Sequence, residues 1–324
     1  MDIFVVGCGA MGSIYAALLA SKGHNVSVVD PNVDHINAIN TRGLRVSGAS
    51  GDRTVQLQGY TKPPAIPADL IICAVKARFI ESASASLQSL IAPHTRVLTI
   101  QNGLGSAEIV AGHVGAERLL VGVAQGFGAS LPEPGVAHHN DMKAIRMGAY
   151  STLAFDEVDR IAQLWADAGF DAAPVHNIVA MQWEKLICNV AYSAPCAIAA
   201  LSVGEVLDHP HMSIVSKAAA REAFDIAIAS GVALRFDDPD REIREFAERM
   251  PNAKPSVLLD LEAGRISEVD VINGAIPRQA AKIGLTAPVN ATLTELVQTL
   301  ELKAVILDNP EFQNSGYGQS PDQT

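Results

Sequence analysis

Two adjacent stretches at the start of the chain decide its fold: residues 1–6 read MDIFVV, and residues 7–12 read GCGAMG. The apolar run is typical of a buried β-strand, and the G-x-G-x-x-G pattern after it leads into an apolar helical pattern. A second apolar run at residues 26–29 ends in Asp30. A strand, a glycine loop, a helix and a second strand with a closing acid form the βαβ unit that binds dinucleotides.

The three glycines of this loop have different predicted roles. Gly7 allows a tight turn, Gly9 lets the backbone approach a pyrophosphate, and Gly12 lets the helix pack closely on the sheet. Free N–H groups at the start of the helix then attract the phosphates. The alternative is a glycine-rich turn that binds nothing. The predicted cofactor-binding loop consists of Gly7, Cys8, Gly9, Ala10, Met11 and Gly12.

Asp30 bears on which dinucleotide binds. A carboxylate at this position accepts hydrogen bonds from the adenosine ribose and repels a 2′-phosphate. Pro31 follows where an NADP site often has arginine, and the next basic residue downstream is Arg42. The sequence therefore favours NAD(H) over NADP(H). The alternative is that Asp30 only caps the helix that contains Val33 and Ile36.

Further apolar runs at residues 69–75, 96–100 and 119–123 predict buried parallel strands. Ligand groups gather at the carboxyl ends of such strands. Lys76 and Asn102 follow two of these runs, which makes them candidates for contact with the cofactor or the substrate. A solvated lysine and a turn asparagine are the alternatives.

Residues 135–148 predict an antiparallel strand at the edge of the same sheet. His138 and His139 lie in it, without a third ligand at metal-binding spacing. We therefore expect no metal site.

The pattern becomes helical after about residue 175. In residues 177–200, Lys185, Asn189 and Ser193 follow one another at intervals of four, so they share one face of an otherwise apolar helix. A buried polar face is costly unless it binds something, and a solvent-facing stripe is the alternative. Four further helices are expected at residues 213–230, 237–249, 256–263 and 272–283. The predicted domains are 1–174 and 175–312, followed by a disordered tail at 313–324.

The composition of the 324-residue chain excludes several classes of protein. Hydrophobic residues make up 48% and charged residues 18%, which provides material for buried cores and argues against disorder. The net charge of −11 disfavours nucleic acid and anionic lipid as partners. No apolar run reaches the roughly 18–20 residues of a membrane span. The four cysteines form no CxxC pair, so we expect a reduced, cytoplasmic setting.

Five segments together resemble the ketopantoate reductase family. They read GCGAMG at 7–12, AVKAR around Lys76, IQNGLG around Asn102, WEKLICN around Lys185, and KPSVLLDLEAGRISEVDVINGAIP around Ser256 and Glu268. The resemblance covers most of residues 1–303 and implies an α/β fold. This fold has an N-terminal Rossmann-type dinucleotide-binding domain, then an all-α C-terminal domain like that of 6-phosphogluconate dehydrogenase, with a cleft between them. The implied reaction is the NAD(P)H-dependent reduction of a 2-oxo acid, such as 2-dehydropantoate, to the 2-hydroxy acid.

The resemblance also implies roles for single residues. Lys185 matches the family's general acid, and its ammonium suits a reaction that creates an alkoxide. Glu268 matches an acid at the nicotinamide end of the cleft. The implied cofactor-binding residues beyond the loop and Asp30 are Lys76, Asn102 and Glu268. The implied substrate-binding residues are Asn102, Lys185, Asn189, Ser193 and Ser256.

Three positions depart from the family's pattern. The family commonly has an arginine for the 2′-phosphate where this chain has Asp30 and Pro31. Ser193 stands where asparagine is usual, and Val203 replaces another substrate-side asparagine. The first change argues against NADPH. The last two remove hydrogen-bond partners for a substrate hydroxyl, so the substrate could instead be a different 2-oxo acid, or a 2-hydroxy acid oxidised with NAD.

Three functions follow as hypotheses. The first is reduction of a 2-oxo acid, and the second is an NAD-dependent 2-hydroxy acid dehydrogenase with the same residues. The third is a non-catalytic NAD-binding sensor. The only partner expected for all of them is a small molecule, and the sequence does not decide between a monomer and a homodimer.

Overall fold

The structure is a computed structural model that describes residues 1–126, 128–141 and 144–308. The chain divides into two compact units, of which the first is Met1–Ile178 and the second begins at Val179. The boundary expected from the sequence lies after residue 174. The tail at 313–324 lies outside the described residues.

The described part of the first unit contains both strands and helices. In chain order these are β1 (Asp2–Val6), α1 (Ala10–Ala20), β2 (Asn25–Val29), α2 (Val33–Arg42), β3 (Leu44–Gly48), β4 (Arg53–Val55), β5 (Gln58–Tyr60), β6 (Leu70–Cys73), α3 (Ile80–Ala85), β7 (Arg96–Thr99), α4 (Ser106–Val114), β8 (Leu119–Ala124), β9 (Gly128–Glu133), β10 (Val136–Asp141), β11 (Ala144–Ala149), α5 (Phe155–Asp167) and β12 (Asp171–Pro174). Short 3-10 turns occupy Ala77–Phe79, Leu87–Leu90 and Ala116–Arg118.

Eight of these strands form one sheet in the order β12-β11-β8-β7-β6-β1-β2-β5. From β8 to β5 every neighbouring pair is parallel, while β11 runs antiparallel to β8 and β12 pairs parallel with β11. The apolar runs expected at 69–75 and 96–100 contain β6 and β7, and the run at 119–123 covers β8 except for its last residue, Ala124. The prediction of a Rossmann-type N-terminal domain is confirmed.

The prediction of one edge strand at residues 135–148 is wrong. β10 ends at Asp141 and belongs to a second sheet, in the order β4-β3-β10-β9, where it lies between two neighbours. β11 begins at Ala144 and belongs to the first sheet. β10 and β11 read VAHHND and AIRMGA, and no break between the two strands in the sequence of residues 135–148 reveals where the chain passes from one sheet to the other.

Helix α1 contacts strands of both sheets, β1 and β2 in the first and β3, β9 and β10 in the second. A helix covered on opposite sides is apolar all round, and the side chains from Gly12 to Leu19 are all buried. The aromatic ring of Tyr15 lies 4.9 Å from that of Trp165, which in turn lies 4.9 Å from Phe170. These contacts join α1 to α5 and form the centre of the core.

The described part of the second unit is helical. It contains α6 (Ile178–Ala199), α7 (Val203–Asp208), α8 (Met212–Ala229), α9 (Pro239–Arg249), α10 (Ser256–Glu262), the 3-10 turn Val269–Val271, α11 (Ala275–Lys282) and α12 (Pro288–Asp308). The prediction of a helical C-terminal domain is confirmed. None of the described helices combines the length and apolar character that a membrane-spanning segment needs.

Candidate active site

Two glycines of the loop after β1 are required by the packing of the chain itself. Gly7 has a φ of +94°, and a Cβ placed on it would lie 2.5 Å from the backbone nitrogen of Val75. A Cβ on Gly12 would lie 1.9 Å from the carbonyl oxygen of Gly7. Any larger residue at either position would displace the loop from β6 or from α1.

Gly9 differs from these two glycines because a Cβ placed on it would meet no atom within 4 Å. The protein leaves this space open beside the first turn of α1, whose N–H groups have no partner within the helix. Ala10 and Met11 continue this turn and are half-buried. Open space next to backbone donors fits the pyrophosphate of a dinucleotide.

Asp30, which follows β2, is bonded to the same loop. Its Oδ2 accepts a hydrogen bond from the backbone N–H of Cys8 (2.9 Å), and its Oδ1 accepts one from the N–H of Asn32 (2.9 Å). The alternative that Asp30 caps α2 is wrong, because the N-cap is Asn32, which accepts from the N–H of His35. The carboxylate is instead positioned beside the glycine loop.

Lys76 and Asn102 lie beyond the ends of β6 and β7, which are neighbours in the sheet. Both side chains are half-buried. With the loop after β1 and Asp30 after β2, they occupy the carboxyl ends of four adjacent parallel strands in the order β7-β6-β1-β2. The structure thus brings the sequence-predicted residues of the first unit to one edge of one sheet.

Gln101 was not among the candidate residues, although it lies next to Asn102. Its Nε2 donates to the carbonyl oxygens of Cys73 (2.7 Å) and Val75 (3.0 Å). These hydrogen bonds connect the segment that follows β7 to the segment between β6 and Lys76. The only signal in the sequence was its position directly after a predicted strand.

Lys185, Asn189 and Ser193 lie on α6 in the second unit. Lys185 and Asn189 are half-buried, and Ser193 is buried. The alternative of a solvent-facing stripe requires exposed side chains, and none of the three is exposed.

The pKa of Lys185 is lowered from its ordinary value to about 8, mainly because the surrounding protein desolvates the ammonium. The carboxylate of Glu268 opposes this change, since a nearby negative charge favours the protonated lysine. The second unit therefore places an acidic and a basic group in electrostatic contact. A lysine with a pKa near 8 is suited to donate a proton close to neutral pH.

Hydrogen bonds on both sides of Glu268 hold its backbone. The N–H of Ser267 donates to Oε1 of Glu301 (2.9 Å), and the N–H of Val269 donates to the hydroxyl of Ser267 (3.1 Å). Asn273, which follows in the same segment, donates from Nδ2 to the carbonyl oxygen of Val190 on α6 (3.1 Å). The segment that carries Glu268 is in this way joined to the helix that carries Lys185.

Glu184 is a second residue that the sequence reasoning missed. It is 7% exposed and binds Arg235 through several bonds, including one from the backbone N–H to Oε1 (2.8 Å) and one from Nε to Oε2 (2.8 Å). This pairing compensates the buried charge beside Lys185 and anchors α6. The two partners are distant in sequence, and no local pattern connects them.

Ser256 and Val203 lie at the starts of α10 and α7. Ser256 is exposed. Val203 is 2% exposed, and its N–H donates to the carbonyl oxygen of Ala253 (3.0 Å). The buried side chain of Val203 offers no polar group to a ligand.

Comparison with protein families gives matches over both units. The family model of ketopantoate reductase PanE/ApbA matches residues 3–152, and the model of the C-terminal part of ketopantoate reductase PanE/ApbA matches residues 177–301. The 2-dehydropantoate 2-reductase of Pyrococcus horikoshii is 30% identical over 302 residues, which are 93% of this chain and 98% of that protein.

Two solved structures resemble the fold closely. A PanE/ApbA family ketopantoate reductase from Ralstonia eutropha JMP134 has a TM-score of 0.85 and 30% identity, with 94% of this chain and 100% of that chain covered. The ternary structure of D-mandelate dehydrogenase with NADH and anilino(oxo)acetate has a TM-score of 0.86 and 25% identity, with 94% and 99% covered.

Proposed function

This chain belongs to the ketopantoate reductase family, and on that premise we propose that it reduces a 2-oxo acid with NADH, using Lys185 as the general acid. Membership makes it an NAD(P)-dependent oxidoreductase. The proposal concerns the proton donor, the cofactor preference and the substrate. The observation that carries it is the half-buried lysine on α6 with a pKa of about 8.

The chemistry requires one proton for each hydride. A bound reduced nicotinamide supplies the hydride that adds to the 2-oxo carbon. As the carbonyl oxygen becomes an alkoxide, Nζ of Lys185 stabilises the growing negative charge and donates the proton. Asn189 and Ser193 on the same face of α6 then hydrogen-bond the substrate without adding charge. Asn102 and Ser256 are the other proposed substrate-binding residues. The proposed cofactor-binding residues beyond the glycine loop and Asp30 are Lys76, Asn102 and Glu268.

The preference for NADH rests on Asp30. Its carboxylate accepts from the N–H of Cys8 in the glycine loop, so its charge lies at the place where β2 meets that loop. A 2′-phosphate brought to this carboxylate would be repelled, whereas a ribose diol would be bound.

The substrate proposal rests on Ser193 and Val203. Ser193 is buried, and Val203 contributes an apolar side chain. We expect a 2-oxo acid whose side chain is more apolar than the side chain of ketopantoate. D-Mandelate dehydrogenase, a similar protein in complex with NADH, favours a second candidate function, the NAD-dependent oxidation of a 2-hydroxy acid.

The experiment is to follow absorbance at the nicotinamide band with NADH and NADPH in parallel. The substrate panel contains ketopantoate, pyruvate, 2-oxoisovalerate and phenylglyoxylate, and the reverse reaction is run with the corresponding hydroxy acids. We expect faster turnover with NADH and with an apolar 2-oxo acid. Rapid turnover of NADPH with ketopantoate alone would contradict both the cofactor and the substrate proposals.

A further inference from the structure

The peptide groups on both sides of Cys8 are held by hydrogen bonds in the centre of the glycine loop. The N–H of Cys8 is bound by Asp30, as described above, and its carbonyl oxygen accepts from the hydroxyl of Ser13 (3.1 Å). Ser13 lies in the first turns of α1 and is fully buried. Its hydroxyl oxygen also lies 3.3 Å from Nε2 of His35, which is 1% exposed.

One fixed donor determines the direction of the hydrogen bond between His35 and Ser13. The backbone N–H of Gly135 donates to Nδ1 of His35 (3.0 Å), so Nδ1 is an acceptor. The neutral imidazole therefore carries its hydrogen on Nε2 and donates it to the hydroxyl of Ser13. The hydrogen of that hydroxyl is then available to Cys8, whose carbonyl oxygen (3.1 Å) and Sγ (3.4 Å) both lie within hydrogen-bond distance of Oγ. Burial also lowers the pKa of His35, with Asp30 opposing, which is consistent with a neutral ring.

This series of hydrogen bonds connects parts of the first unit that are distant in sequence. Gly135 lies in the turn between β9 and β10 of the second sheet, His35 in the first turn of α2, and Ser13 in α1. Hydrogen bonds thus connect the loop around Cys8 to the second sheet, while the space beside Gly9 remains open.

We propose that Ser13 and His35 are positioning residues for the dinucleotide, which hold the backbone at Cys8 in the conformation that binds the pyrophosphate. Neither residue belongs to the predicted cofactor-binding set. The inference rests on the proposed binding of NADH at the glycine loop. It concerns affinity for the cofactor rather than proton transfer, since Lys185 and Asn189 lie in the other unit.

The test compares Ser13→Ala and His35→Phe with the wild type in two measurements, the Kd for NADH by fluorescence and the steady-state kinetics with the best 2-oxo acid. For each variant we expect the Kd for NADH to rise about tenfold, while kcat at saturating NADH and the KM of the 2-oxo acid stay within about twofold. Because both residues act through the same series of hydrogen bonds, the Kd for NADH of the double variant should be little higher than that of either single variant.

Ser84→Ala is the matched control. Ser84 is a buried serine of the same unit, and its hydroxyl has no hydrogen-bond partner among the described residues. The Kd of the Ser84→Ala variant for NADH should equal that of the wild type. An unchanged Kd in Ser13→Ala and His35→Phe, or an equal rise in Ser84→Ala, would overturn the inference alone. A wild-type protein that binds no NADH would overturn the proposed function and the inference together. If Ser13→Ala fails to fold, His35→Phe decides.

Discussion

The backbone N–H of Cys8 donates a hydrogen bond of 2.9 Å to Oδ2 of Asp30. This bond joins the loop after β1 to the end of β2, two strands that pair in parallel. The negative charge proposed to select the ribose is therefore attached to the loop proposed to bind the phosphates. On the proposed function, a change at Asp30 should affect both the cofactor preference and the geometry of the loop.

Removal of this charge should weaken the preference for NADH. In Asp30→Ala, the ratio of kcat/KM for NADH to that for NADPH should fall at least about tenfold, which corresponds to about 1.4 kcal/mol, because the repulsion of a 2′-phosphate is lost. The measurement is a pair of kinetic titrations with the two cofactors.

Asp30→Asn is the control for loop geometry, since its amide oxygen still accepts from the N–H of Cys8 without a charge, although its NH2 group replaces the acceptor for the N–H of Asn32. It should shift the cofactor ratio in the same direction with a smaller loss of NADH affinity than Asp30→Ala. An unchanged ratio in both variants would place the determinant of cofactor choice elsewhere.

The rate of reduction should depend on pH through Lys185. The lysine must be protonated to donate, and its pKa is about 8. The kcat for reduction should therefore be constant with respect to this group well below pH 8 and fall about tenfold per unit above it. Oxidation of the hydroxy acid needs the neutral amine, so its rate should rise through the same pH.

Lys185→Arg tests this assignment, because arginine stays charged at every pH of the experiment. Its residual activity should show no inflection near pH 8. An inflection that persists unchanged in the arginine variant would assign the titration to another group.

Asn273 should contribute to the stability of the helical unit. Its Nδ2 donates to the carbonyl oxygen of Val190 and to Oδ1 of Asn290 (2.9 Å), and the residue is completely buried. Asn273→Ala leaves both acceptors without this donor, so the free energy of unfolding should fall by about 1–3 kcal/mol. Urea unfolding monitored by circular dichroism measures the change. Asn252→Ala, at an exposed position, should change the free energy of unfolding by less than about 0.5 kcal/mol. An equal loss of stability in the two variants would contradict the proposed contribution of Asn273.

Five strands of the large sheet, β1, β2, β6, β7 and β8, and the residues that follow them could be predicted because buried parallel strands are apolar runs. Asp30 and Lys76 follow such runs directly, and Asn102 follows the run at 96–100 after one intervening residue, Gln101. The position of a residue after a strand is a local property, and so it is visible in one sequence.

The second sheet could not be predicted in the same way. β3 pairs with β10, and residues 49–135, about half of the first unit, separate the two strands. The bonds of Gln101 to β6 and of Glu184 to Arg235 likewise join positions distant in sequence. Such pairings depend on the folded topology, and residue types alone do not specify them. The roles of Ser256 and Glu268 and the cytoplasmic location stay predictions.

The central claim is that Lys185 donates the proton, and the kinetics of Lys185→Ala test it most directly. We expect kcat for the reduction of the best 2-oxo acid to fall by about 10²–10⁴-fold, while the Kd for NADH stays within about twofold of the wild type. Lys217→Ala, which removes another half-buried lysine of the same unit, should leave both quantities unchanged. Near-normal turnover in Lys185→Ala would contradict the account.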